Sequence, residues 1–144
     1  MDRIKELLKL LPHSLQITFA IYCCNDIKHL MNKESVICLE LVEKWLATPH
    51  LVSREELYAA ANATAYANAT TSATAYAAAY AANATAYAAD AANAANAAAN
   101  ATAYAGTASY AARREEKLKQ YEVYLVNMLK EMPELCKVIY GVYL

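Results

Sequence analysis

A chain of 144 residues with a formal net charge of -1 fits one domain and lacks the basic excess that would draw it broadly to nucleic acid or anionic lipid. Two Gly and three Pro are too few for a turn-rich β fold, whereas heavy Ala use with Leu, Glu and Lys at both ends favours helix. Cys23, Cys24, Cys38 and Cys136 show no CxxC spacing and no secretory signal precedes them, so buried free thiols are expected rather than a disulfide framework or a zinc site.

In chain order, Asp2 is placed to cap a short amphipathic helix with Ile4, Leu7, Leu8 and Leu11 on one face, ended by Pro12. A second helix is expected to begin at residues 12–14. Its apolar set includes Leu15, Phe19, Ile21, Cys23, Ile27, Leu30 and Met31, enough to face neighbours on more than one side, and Asn32 and Lys33 read as its end. Glu34 and Ser35 open a third helix in which Leu39, Val42, Trp45 and Leu46 align, with Trp45 as a core anchor and Thr48 and Pro49 as the close. Ser53 and Glu56 then stand in the S-x-x-E relation of a capping box, and Val52 is placed to pack on Leu57 as a staple.

From Ser53 to Ala112 the chain is built almost wholly from Ala, Tyr, Asn and Thr. The hexapeptide NATAYA stands at residues 62–67, 83–88 and 100–105, and SATAYA at 72–77. Its tyrosines, Tyr66, Tyr76, Tyr87 and Tyr104, are separated by 10, 11 and 17 residues, close to multiples of the 3.5-residue coiled-coil period, which would put them on alternating seam positions. Ala alternating with polar residues also suits a half-buried strand, but Ala is depleted in strands and runs such as AADAANAANAAAN fit helix better. One helix over residues 53–105 would be about 80 Å long, against roughly 35 to 40 Å for a compact chain of this size. A break is therefore expected at Thr70, Thr71 and Ser72, whose side chains compete for the backbone, and there is room for a second near Asp90 to Asn100, at a place that the sequence does not locate. The tract carries too many Asn, Thr and Tyr for a membrane span.

Gly106 and Thr107 supply a stop and a new cap. Residues 113–130 read as an amphipathic helix with Leu118, Tyr121, Leu125 and Leu129 inward, ended by Pro133, and the apolar tail 135–144 is expected to lie against the core. The fold class expected is all-α: one domain over 1–144, a compact bundle of about five to seven helices with closely packed Ala faces. It divides into apolar helices at 1–50, the Ala-rich tract at 53–112 and an amphipathic helix with apolar tail at 113–144.

Tyr rings beside Asn amides either pack a polar, satisfied helical interface or form a binding surface. Asp90 is the only charged residue between Glu56 and Arg113, and in the register of Tyr66 it falls on the seam, where burial would demand a donor or a ligand. Arg113, Arg114, Lys117 and Lys119 form a small basic cluster able to contact a phosphate or an acidic partner. The candidate ligand-binding residues are Tyr66, Tyr76, Asn83, Tyr87, Asp90, Tyr104, Arg113 and Arg114. His13, His29 and His50 are scattered, with no carboxylate at ligand spacing, so no metal and no cofactor is expected. Phosphate loops, nucleophile elbows and paired carboxylates are lacking, and only Cys23 or Cys24 with His29 offers a nucleophile and base; an enzyme is not expected.

The segments FAIYCCNDIKHLM, VICLELVEKWLA and SREELYAAANATAYA, in that order over roughly residues 19–112, resemble the alanine-rich immunity protein family of bacteria and its phage-encoded relatives. That family carries charged and Trp residues in its tract where this chain has Asn, Thr and Tyr. The resemblance implies a noncatalytic cytoplasmic protein of phage–bacteria conflict. Such a protein would sequester a nucleotide-type immune signal or inhibit a defence protein, or else neutralise a toxin. A self-associating structural protein is the alternative outside that class; neither DNA, RNA nor membrane is expected as a partner.

Overall fold

The computed structural model describes residues 1–67, 78–83, 91–106 and 109–132, and among these the side chains of residues 65–67 are left aside. Ile4, Leu7, Leu8 and Leu11 recur at three- and four-residue spacing, and sinking that stripe into the core is what gives the N-terminal segment its helix. This helix, α1, spans Asp2–Leu8, and all four residues are buried. Asp2 is the first helical residue rather than the cap: Met1 occupies the N-cap position and no side chain bonds there.

Helix α2, His13–Asp26, follows directly on Pro12, whose missing N–H costs nothing at a helix start. Ile17, Phe19, Ala20, Cys23 and Cys24 are buried along it. It stops at Asp26, short of the expected Asn32 and Lys33, and a 3-10 turn, Lys28–Leu30, intervenes. Asn32 instead caps α3, Lys33–Ala47: its Oδ1 accepts from the Ser35 backbone N–H at 2.9 Å and from the Ser35 hydroxyl at 2.7 Å. An Asn side chain that can satisfy an orphan donor of the next helix is worth more there than at the end of the previous one.

Cys38, Leu39 and Val42 form the buried stripe of α3, with Trp45 and Leu46 half-buried against the core. Thr48 closes it, and a 3-10 turn, Pro49–Leu51, leads to α4, Arg54–Ala67. The start of α4 shows the expected box with one change. The Glu56 N–H donates to Ser53 Oγ at 3.1 Å, but the Glu56 carboxylate accepts from that same hydroxyl at 3.3 Å rather than from the Ser53 backbone. Val52 and Leu57 are both buried, as a staple requires.

Residues 78–83 are helical (α5), and α6 spans Ala91–Ala105. The hexapeptide copies at 62–67 and 100–105 are thus helix, not strand. Helix α6 is continuous through residues 91–100, so the second break does not fall there; the first, at Thr70 to Ser72, and Asp90 itself lie outside the described residues. Ala94, Ala97, Ala98 and Ala101 are among eight buried alanines of α6, which packs against α2, α7 and α1, while α3 packs against α4. A side chain of one carbon lets several neighbours approach one axis closely, and the resulting dispersion contacts replace bulky side chains.

Among the described residues, polar side chains of the tract bond to carbonyls of their own and of neighbouring helices. Asn83 Nδ2 donates to Ala61 O at 2.9 Å, and the buried Thr64 hydroxyl donates to Ala60 O at 3.0 Å and Glu34 O at 3.3 Å. Cys38 Sγ donates to Ala82 O at 3.7 Å. Tyr104 departs from the seam expectation: its ring is 49% exposed, because the close-packed stripe of α6 is alanine and has no room for a phenol.

The final described helix, α7, spans Tyr110–Glu131 and turns Leu118, Tyr121, Leu125 and Leu129 inward. It begins at Ser109, whose hydroxyl makes no cap bond; Thr107, the expected cap, lies outside the described residues, as do Pro133 and the tail. The architecture is an all-α bundle with α6 at its centre. No helix among the described residues is long and apolar enough to cross a membrane.

Candidate binding cleft between α1 and α7

Tyr110, Ala111, Arg114, Glu115, Leu118, Lys119 and Glu122 recur at three- and four-residue spacing, so one face of α7 presents them together. Where this face meets Met1 and Ile4 of the first segment, it lines a cleft of about 630 Å³. Met1, Ile4, Ala111 and Leu118 supply apolar surface and the remaining α7 residues supply polar groups, within the size and mixed character of small ligand or peptide-anchor sites.

The geometry of Arg114 is set by α6. Its Nε donates to Asn100 Oδ1 at 2.8 Å, and its Nη2 donates to Asn96 Oδ1, one helical turn earlier. Asn100 Oδ1 also accepts the Tyr110 hydroxyl at 2.8 Å. Tyr110, 38% exposed, packs its ring at a tilt against that of Tyr104 with centroids 4.8 Å apart. Partial desolvation, then the Tyr104 hydroxyl, holds the Tyr110 phenol above its ordinary value, with Arg114 pulling the other way.

The other charged side chains of the cleft are paired within the chain. Lys119 Nζ lies 3.5 Å from Glu115 one turn back on α7, and Arg3 Nε lies 3.9 Å from Glu122. Arg113 points elsewhere. Its guanidinium lies over the end of α6, donating from Nη2 to Thr102 O at 3.5 Å, where a cation meets the negative end of the helix.

A second polar cluster joins α2 to α7. Asp26 Oδ2 accepts the Tyr121 hydroxyl at 2.8 Å and pairs with Lys117 Nζ at 3.0 Å, while the Tyr22 and Tyr124 rings stack with centroids 3.5 Å apart. Burial, then the neighbouring Cys23 and Asp26, pushes the Tyr121 phenol far above its usual value, and burial raises the Cys23 thiol as well. A thiol so held is protonated and a poor nucleophile. His29 is exposed on the 3-10 turn while Cys23 and Cys24 are buried, so this nucleophile and base do not share an accessible site.

Of the expected site residues, the structure brings Arg114 to the cleft. Arg113 caps α6, Asn83 ties α5 to α4, and Tyr104 stands beside Tyr110 rather than in the lining. Tyr66 belongs to α4 with its side chain outside the described set; Tyr76, Tyr87 and Asp90 lie outside the described residues. The basic cluster is divided: Lys117 serves Asp26 and Lys119 serves Glu115. Tyr110, Asn96 and Asn100 were missed as site residues. The one-turn spacing of 96 and 100, and of 110, 114 and 118, is in the sequence, but that these two helices face each other is not.

Fold and cleft together define an all-α bundle with a mixed polar and apolar recess on its α1–α7 face. The chain belongs to DUF6931, a family of unknown function whose model matches residues 1–130. No curated protein and no solved structure matches it.

Proposed function

We propose that this chain is a noncatalytic binding protein that acts by holding a segment of a partner protein in the α1–α7 cleft. The observation that carries the reading is Arg114, fixed by Asn96 and Asn100 beside an apolar floor of Ile4, Ala111 and Leu118. A locked guanidinium next to apolar surface suits recognition, because little side-chain entropy remains to be lost on binding. The setting, phage–bacteria conflict in the bacterial cytoplasm, rests on the resemblance of residues 19–112 to the alanine-rich immunity proteins, and within it inhibition of a defence protein or a toxin is the mode preferred. A nucleotide-type signal has less support: Tyr104 lies outside the cleft lining, and Glu115 and Glu122 stand on the same wall as Arg114 and Lys119.

The test is expression of the chain in hosts that each carry one defence system or one toxin, scored by phage plating efficiency or by survival. Ala111 is exposed, so Ala111→Trp fills the cleft without touching the core. The wild-type chain should rescue plating or growth in at least one host and Ala111→Trp should lose that rescue. Rescue that survives the filled cleft places the activity on another surface, and no rescue in any host removes the conflict setting.

A further inference from the structure

We infer that Arg114 is the anion-recognising residue of this cleft and that the partner offers it a carboxylate flanked by apolar side chains. The inference rests on the cleft being the binding site. Among the described residues, Glu115 is paired with Lys119 and Glu122 with Arg3, whereas Arg114 has no carboxylate within bridging distance. Its contacts are amide oxygens, which orient the guanidinium but leave its charge in place. Once the internal pairs are set aside, the lining side chains therefore carry one positive charge that no carboxylate among the described residues compensates.

The protein has also fixed how that charge is presented. Nε and one Nη2 hydrogen are spent on Asn100 and Asn96, and Asn100 is itself held by Tyr110, so the fork is anchored along one edge. Among the described residues no acceptor takes the two Nη1 hydrogens or the second Nη2 hydrogen, and one hydrogen from each nitrogen makes the planar pair that a carboxylate meets with two oxygens. A single side-chain carboxylate matches one such fork. A polyphosphate brings further negative charge, for which the lining side chains hold no second unpaired cation. Ile4, Leu118 and Ala111 complete the match by accepting apolar neighbours of that acid. The occupant is thus an acidic segment with apolar flanks rather than a nucleotide.

A random-peptide library displayed against the full chain, with Ala111→Trp as counter-target, supplies the probes. Enriched peptides should carry Asp or Glu among apolar residues. Measured by fluorescence anisotropy, the leading synthetic peptide should bind Arg114→Gln about tenfold or more weakly. Its acid-to-amide twin should lose as much on the wild-type chain and nothing further on Arg114→Gln, the signature of a direct pair. Arg114→Lys keeps the charge without the fork and should lose several-fold, which preserves the test if Arg114→Gln melts early. Peptides that discriminate against Ala111→Trp but lack an acid, or bind Arg114→Gln as tightly, would overturn the role of Arg114 while leaving the cleft reading intact. A library yielding no cleft-dependent peptide overturns the cleft itself. Arg114-dependent binding of a cyclic dinucleotide, run in parallel, would replace the carboxylate by phosphate.

Discussion

The hydroxyl of Tyr121 donates to Asp26 Oδ2 at 2.8 Å, fastening the last residue of α2 to the middle of α7. Lys117 completes the cluster from one turn earlier, 3.0 Å from the same oxygen. Removing the phenol oxygen by Tyr121→Phe should cost about 1 to 2 kcal/mol, because Asp26 keeps Lys117. Asp26→Ala strips both partners and should cost more, about 2 to 3 kcal/mol after allowance for its partial exposure. Urea unfolding of the two variants checks the order; a Tyr121→Phe loss exceeding that of Asp26→Ala would contradict it.

Alkaline pH should destabilise the fold. The thiols of Cys23 and Cys38 and the phenol of Tyr121 are all held above their ordinary values, first of all by burial, with Cys38 raised to about 11. Each group stays neutral in the folded chain at a pH where the unfolded chain has released its proton, so the stability it contributes is full below its unfolded value and is lost as pH rises. For Cys38 the decline runs from about pH 9 to 11 and amounts to roughly 2 to 3 kcal/mol. Melting temperatures taken across that window should fall, and Cys38→Ser, whose hydroxyl does not titrate there, should flatten part of the slope.

Gly106 and Arg113 should prove coupled. A methyl group at 106 would overlap Nε and Cζ of Arg113, so Gly106→Ala must push that guanidinium off the end of α6. In the wild-type background the substitution should cost about 1 kcal/mol, and with Arg113→Ala already in place it should cost nothing or stabilise. Equal costs in the two backgrounds would show that the guanidinium does not depend on the space at Gly106.

The alanine stripe of α6 sets a sharper contrast. Ala98 is buried where α6 is hemmed in by other helices, so Ala98→Leu should overpack the core and cost about 1 to 3 kcal/mol. Ala105, exposed on the same helix, should accept leucine within about 0.5 kcal/mol. Thermal melts of the pair decide whether close approach of helix axes, rather than alanine content as such, holds the bundle together.

Much of the fold was legible wherever apolar residues keep a helical period. The stripes of α1 and α7 and the box at Ser53 and Glu56 stand where the spacing put them. Boundaries were harder: Asn32 can end one helix or begin the next, and only the presence of the Ser35 donor decides between them. The tract was legible as helix but not as a site, because Ala, Asn and Thr repeat so evenly that no register stands out. Sequence spacing placed the tyrosines on the seam, whereas packing gave the interior of α6 to alanine and left Tyr104 outside. The cleft arises where residues far apart in sequence meet, Ile4 with Leu118 and Asn96 with Arg114, and no local pattern announces such encounters.

The most direct test of the cleft as the binding site is a ¹⁵N–¹H correlation spectrum of the full chain titrated with an acidic peptide selected as above. Shift changes centred on Ile4, Tyr110, Ala111, Arg114 and Leu118, and lost in Ala111→Trp, are the result expected. Changes confined to α3 and α4, with the cleft amides unmoved at saturation, would contradict it.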